Sequence, residues 1–343
     1  MPVQPPSFGL QQYWDDRFKS NANPFEWLEA PTSLDPFLVD ALNQTNDQSP
    51  EILHIGCGTS LLSYHLRAHV NHPEQIHNLD YSEVAIDIGR RREADIFNEE
   101  IVGAEEGMKD VVDTKTGTMM ETDGTKEPGK PRSQSTSAQD SGRPFMRWSS
   151  ANLLSHVSLL NNCNPSTYSI IVDKSTTDSI ACADDIDVPL PYPIGTSLDA
   201  SLQITQSTEP VHPVRILAIN LAVIAKPKAR WIALSYSQER FPFLDGDSSR
   251  KTSSNSFSNS VFAELTGFDK ESDNNFDHVP LEGIERGLPD PSTLWTLIGK
   301  HEIEVPQRVS KNGAFTTNTH MPKVFHWIYV LERTDVEVFV RDN

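Results

Sequence analysis

The stretch Glu51–Ser60 reads EILHIGCGTS. A short apolar run, Ile52–Ile55, stops at Gly56-Cys57-Gly58, and Ser60–Val70 continues with helical spacing. After a strand, Gly-x-Gly lets backbone approach a ligand without Cβ interference, and the next helix offers free N–H groups to an anion. That anion is either a pyrophosphate or a carboxylate. A dinucleotide turn carries a third glycine for close helix–strand packing; Leu61 stands there, which argues against NAD. The G-x-x-x-x-G-K-[ST] pattern is absent too. The plain alternative is a strand-to-helix turn that holds no ligand.

Working outward, Gln75–Leu79 reads as a second strand ending at Asp80, roughly 20 residues after the glycines, where an acid can take ribose hydroxyls. Ser82 is placed to cap a helix running to about Ala94. Strand, helix, strand, helix predicts an α/β fold, a Rossmann-like parallel sheet with helices on both faces. A strand leaves Phe145 toward Asn152, and Tyr168–Val172 forms another that ends at Asp173. A helix spans Val211–Ala225; strands follow at Arg230–Ser235 and Phe325–Glu332. Upstream, Pro36–Leu42 reads as a short helix with Asp35 as its N-cap and Pro36 in its first turn. Residues 103–143 lack apolar periodicity and are expected to be a disordered insertion. Residues 241–324 form a variable stretch with a mobile Ser/Asn-rich part at 248–275. The expectation is a covering segment over 1–50 and one domain built from 51–102 and 144–343.

Lys and Arg number 29 against 48 Asp and Glu, a formal charge of −19. Such a balance argues against nucleic acid as a partner, which calls for a basic face. The three cysteines, Cys57, Cys163 and Cys182, show neither CxxC spacing nor an ordered Cys/His cluster. No metal site, no disulfide framework and a reducing, cytoplasmic compartment are the expectations. The N-terminus has no apolar core of signal-peptide length, and no run is long enough to cross a membrane.

Four blocks carry a family resemblance. YWDDRF at Tyr13–Phe18 precedes FEWL at Phe25–Leu28; then come ILHIGCGTSLLS at Ile52–Ser63, NLDYSEVAID at Asn78–Asp87 and YSIIVDKSTTDSI at Tyr168–Ile180. More loosely, RWIALSYSQ and HWIYVLE match the family's last two strands. Together they resemble the seven-strand S-adenosylmethionine-dependent methyltransferases, and within them the lysine methyltransferases of elongation factor 1-alpha and of citrate synthase. The resemblance implies a mostly parallel seven-stranded sheet with its last strand antiparallel, S-adenosylmethionine as cofactor, and a protein substrate, a translation elongation factor among the candidates. It departs at Ser175, where the family has Gly, and at Thr59, where it often has Asn.

The same resemblance implies roles. Gly56, Cys57, Gly58 and Ser60 hold the methionine end of the cofactor, so the anion in the turn becomes its carboxylate. Asp80 takes the ribose hydroxyls, Tyr81 lies against adenine, and Asn152 with Leu153 reads the adenine edge. Tyr13, Trp14 and Arg17 cover the cofactor, Arg17 as a carboxylate partner. Asp173 faces the methionine portion and orients the acceptor amine as the catalytic residue; its plain reading is a strand-end cap. Trp27, Trp148 and Tyr236 are candidate walls around the acceptor. His54 reads as a packed histidine, Lys174 as an ion-pairing residue and Asp178 as a helix cap. Three functions compete: a protein-lysine methyltransferase, a small-molecule methyltransferase, and a catalytically silent interaction protein.

Overall fold

Seven segments of β-prone sequence assemble into one sheet: β1 Ile52–Ile55, β2 Ile76–Asp80, β3 Arg147–Ser150, β4 Tyr168–Lys174, β5 Ala225–Ser235, β6 Trp295–Glu304 and β7 Phe325–Arg333. The computed structural model describes residues 6–109, 145–196, 205–247, 287–305 and 323–341. The strand order is β3-β2-β1-β4-β5-β7-β6. The pairs β1–β2, β2–β3, β1–β4 and β4–β5 are parallel, and β7 runs antiparallel to both β5 and β6. This is the expected mostly parallel, Rossmann-like arrangement.

The central strands are buried on both faces, as parallel strands between helical layers must be. All seven residues of β4, YSIIVDK, are buried. Side chains alternate across the sheet. From β1, Leu53 and Ile55 enter a core shared with helix Pro213–Ile224, while Ile52 enters the other, with Leu34, Leu38 and Leu62.

The helices are α1 Gln11–Ser20, α2 Asp35–Gln44, α3 Leu62–His65, α4 Glu83–Lys109, α5 His156–Leu160, α6 Thr176–Ile180, α7 Pro213–Ile224 and α8 Pro291–Leu294. Helix α7 is apolar almost all round, with only Arg215 short of full burial, so it lies within the core rather than on it. Its start follows from sequence: the His212 ring accepts from Val214 N–H, and Pro213 sits where no N–H is needed.

Several expectations move. The helix after the glycine turn is not one piece over Ser60–Val70: α3 passes into a 3₁₀ turn at Leu66–His69. Asp35 does not cap α2, because its carboxylate is turned toward His65 and His69 instead. Helix α4 runs past Ala94 to Lys109, so the first positions of the expected disordered insertion are helical. The rest of that insertion, and the stretch 248–275, lie outside the described residues. Strand β6 falls inside the region read as merely variable. Its exposed residues, with Gly299 in their midst, give no apolar run to notice.

Candidate functional site

The carboxyl ends of β1, β2 and β4 open into a cavity of about 120 Å³. The glycine turn forms its floor; Asp80, Tyr81 and Ala151–Leu154 line one side, and Lys174–Thr176 the other. Phe8, Trp14, Phe18, Phe25 and Trp27 from the N-terminal segment supply an aromatic wall.

The turn needs its glycines. Gly56 has φ 58° and Gly58 has φ 49°, a left-handed region that side chains resist. A Cβ on Gly56 would run into the Thr176 side chain, whose hydroxyl donates to the Ile55 carbonyl at 2.9 Å. A Cβ on Gly58 would sit 3.3 Å from the Phe18 ring. Cys57 donates its N–H to the Leu79 carbonyl at 3.0 Å, tying the turn to β2. Burial pushes its thiol pKa well up, and the Asp80 charge adds to this, so Cys57 is no nucleophile.

Asp80 ends β2 beside this turn. One carboxylate oxygen accepts from Gly58 N–H at 2.8 Å, the other from Ser82 N–H at 2.8 Å. Burial outweighs these bonds and pushes its pKa up to about 6. Each oxygen keeps a lone pair for a further donor. Asn152 accepts Leu154 N–H through its side-chain carbonyl at 2.9 Å, so its amide is held in place by its own loop.

Most of the residues expected at the site are brought together: Trp14, Gly56, Cys57, Gly58, Ser60, Asp80, Tyr81, Asn152 and Leu153 all line the cavity. Three are not. Tyr13 packs edge-on against the Phe8 and Trp14 rings, behind the wall. Arg17 stacks its guanidinium over Phe25 at 4.4 Å and Trp27 at 5.6 Å, bracing the wall rather than waiting for a carboxylate. Asp173 is fully buried and turned into its own chain. It accepts from Thr176 N–H at 2.8 Å, Thr177 N–H at 3.2 Å and the Thr177 hydroxyl, and so caps α6. The bonds that Asp173 makes are those of the strand-end cap, its plain reading.

Of the candidate walls, Trp27 lines the cavity. Trp148 is core, donating to Glu93 at 2.7 Å, and Tyr236 is exposed beside Arg240. His54 borders the cavity but is packed between Ser63 and Asn78; burial lowers its pKa to about 4, leaving it neutral near pH 7. Asp178 lies within α6 and makes no cap bond: it accepts from the Ser175 hydroxyl at 2.6 Å and the Ser235 hydroxyl at 2.5 Å and pairs with Arg240.

The residue that sequence reading missed is Glu26. Its carboxylate accepts from the Ser60 hydroxyl at 2.8 Å and Leu61 N–H at 2.5 Å, and pairs with Lys174. The anion at the start of the helix is thus supplied by the chain itself. Burial lowers the Lys174 pKa, and Glu26 opposes this. The available signal was an acid set between aromatics, Phe25-Glu26-Trp27, upstream of a Gly-x-Gly turn.

The N-terminal segment is fastened over the turn. Arg92 of α4 donates to the Thr59 carbonyl at 3.1 Å and the Ala22 carbonyl at 2.7 Å. The Thr59 hydroxyl donates to the Asn23 carbonyl, Gln11 donates to the Tyr81 carbonyl, and Ser82 donates to Asp15.

No protein-family model matches the chain. A curated relative is a methyltransferase. Methyltransferase srdJ of Neurospora crassa is 30% identical over 182 residues, covering 52% of this chain and 57% of that protein. The chain therefore spans little more than half the length of this relative. Solved structures that align with it include a SAM-dependent methyltransferase from Anabaena variabilis, at 10% identity and TM-score 0.40 over 97% of this chain and 96% of that one. Magnesium protoporphyrin IX methyltransferase from Synechocystis, with bound SAM, aligns at 8% identity and TM-score 0.41 over 97% and 100%. N-methyltransferase NodS from Bradyrhizobium japonicum, with S-adenosyl-L-homocysteine, aligns at 9% identity and TM-score 0.39 over 95% and 98%.

Proposed function

We propose that this chain is an S-adenosylmethionine-dependent methyltransferase that acts on a lysine amine of a protein. The observation that carries the reading is Asp80: a buried carboxylate with spare lone pairs, bonded to the glycine turn and facing the cavity. The srdJ match supports the reaction class.

The residues present fit this cofactor. Asp80 suits a ribose diol, Tyr81 and Leu153 a flat base, and Asn152 keeps one acceptor lone pair for an exocyclic amine. The Glu26–Lys174 pair offers one charge of each sign to an amino-acid end. When bound, S-adenosylmethionine supplies an electrophilic methyl on a cationic sulfur. The chain's work is then alignment of donor and acceptor, which the fixed turn and the clamped N-terminal segment provide. A lysine acceptor must be neutral. Its ordinary pKa of about 10.4 places that state ~4 kcal/mol away near neutral pH. Trp14, Phe25 and Trp27 exclude water, and a dry wall disfavours the ammonium form.

A second reading, a small-molecule acceptor, is favoured by the way the N-terminal segment closes over the site. Gly9 packs so near Ala183 that a Cβ there would lie 2.6 Å from it. The first test is calorimetric titration with S-adenosylmethionine and S-adenosylhomocysteine, with Asp80→Ala beside the wild type. Micromolar binding lost in Asp80→Ala supports the cofactor site; no binding by the wild type at millimolar ligand sinks it and favours a silent interaction protein. With binding in hand, radiolabel from the methyl group is followed in an undermethylated lysate. Label on protein lysine supports the main reading, and label only in the low-mass fraction supports the second.

A further inference from the structure

Outside the cavity, two histidines and an aspartate converge. His65 and His69 stand four residues apart, one at the end of α3 and one at the end of the following 3₁₀ turn, on the same helical face. Asp35 reaches them from the start of α2. Both rings aim the same atom, Nε2, at the same carboxylate oxygen, at 2.5 Å and 3.0 Å. All three donor atoms lie within 4.8 Å of one another, and among the described residues no other His, Cys, Asp or Glu group converges this way.

We propose that Asp35, His65 and His69 form a three-ligand zinc site with its fourth position open to water. Two imidazoles, which are borderline donors, joined by one carboxylate suit Zn²⁺ rather than Mg²⁺ or Ca²⁺, which take oxygen shells. Bonds of roughly 2.0–2.2 Å in a tetrahedron set donor atoms about 3.3 Å apart. The two nitrogens stand 2.5 and 3.0 Å from the shared oxygen, so each N···O separation need widen by less than about 1 Å to admit the ion. The side chains are 25%, 13% and 34% exposed for His65, His69 and Asp35, which leaves an entry path and room for a water. Sequence reading expected no metal on the absence of CxxC spacing and of an ordered Cys/His cluster, and the aspartate lies 30 residues before its first histidine partner.

The site has a structural consequence. It ties α2 to the helix that leaves the glycine turn, on the side opposite the Glu26 contact to Ser60 in chain order. Zinc would stiffen the turn from behind while leaving the cavity free.

The test uses the full chain, stripped with a chelator and desalted. Zn²⁺ is titrated by calorimetry, and Co²⁺ is substituted to read the ligand field by absorption. The expected result is one saturable equivalent, a melting temperature that rises with Zn²⁺, and cobalt bands typical of a nitrogen and oxygen set. His65→Ala, His69→Gln and Asp35→Asn should each weaken binding at least tenfold, since even the loss of an outer partner costs about 10–100-fold. His69→Gln keeps a hydrogen-bonding side chain, so it separates metal loss from a general packing defect. The proposal is overturned if no saturable binding occurs, if binding survives all three substitutions, or if a sulfur-to-cobalt band places the ion on a cysteine.

Discussion

Asp80 is the residue on which the site turns, and its pKa makes it testable. Raised to about 6 by burial, it is neutral in acid and ionised near neutrality. A neutral Asp80 stabilises the ligand-free fold below its ordinary value near 4, and that contribution is lost as pH rises through about 6. A ribose diol donates to the ionised form, so ligand binding has the opposite trend. S-adenosylhomocysteine affinity should be full above about pH 7 and fall by about tenfold per unit below 6. Calorimetry across that range checks it, and Asp80→Asn should bind weakly with no such slope. Ser175 gives a second prediction. It holds φ 69°, where a non-glycine residue bears ~1–2 kcal/mol of strain, and its hydroxyl bonds Asp178. Ser175→Gly loses the bond and the strain together, so chemical denaturation should place it within about 1 kcal/mol of wild type. Ser175→Ala keeps the strain and leaves Asp178 short of a donor, a loss of about 1–3 kcal/mol. At this scale the sequence showed which residue types gather at the strand ends, but not where each one points. Asp173 illustrates why: two threonines three and four residues on, at the start of α6, offer donors from its own chain.

Among the elements, the N-terminal segment is the one whose attachment decides whether the cavity exists. Its block of aromatics was legible because YWDDRF and FEWL are unusual in a polar stretch. Its main charged anchor was not, since Glu26 and Lys174 lie 148 residues apart and no local period connects them. Lys174 is 3% exposed, so Glu26→Gln would leave a buried ammonium unpaired. A loss of about 3–5 kcal/mol is expected in denaturant unfolding, along with weaker cofactor binding. The double variant Glu26→Gln/Lys174→Met should recover most of that stability without recovering the binding, because the charges that would meet an amino-acid end are gone. Recovery of both would show the pair to be a structural tie alone. Strand β6 teaches the complementary lesson. It forms the sheet's outer edge, so only one neighbour orders it and its exposed charges shield that edge from other chains. Such a strand has no need of the apolar pattern by which inner strands are recognised.

For the whole molecule, sheet order follows from a handful of buried runs, while the depth of α7 sets how those runs must come together. Trp295 donates to the Ala218 carbonyl at 2.8 Å and Arg333 to the Ala222 carbonyl at 3.0 Å, so two hydrogen-bond partners of this helix lie far downstream. The Arg333 bond spans 111 residues. At ribosomal rates of about 5–20 residues per second, α7 waits roughly 5–20 s after its own emergence before its last partner is made. During that interval the helix can pack on its upstream neighbours alone, and the apolar face that the later strands cover stays open, a ready client for chaperones that hold nascent chains.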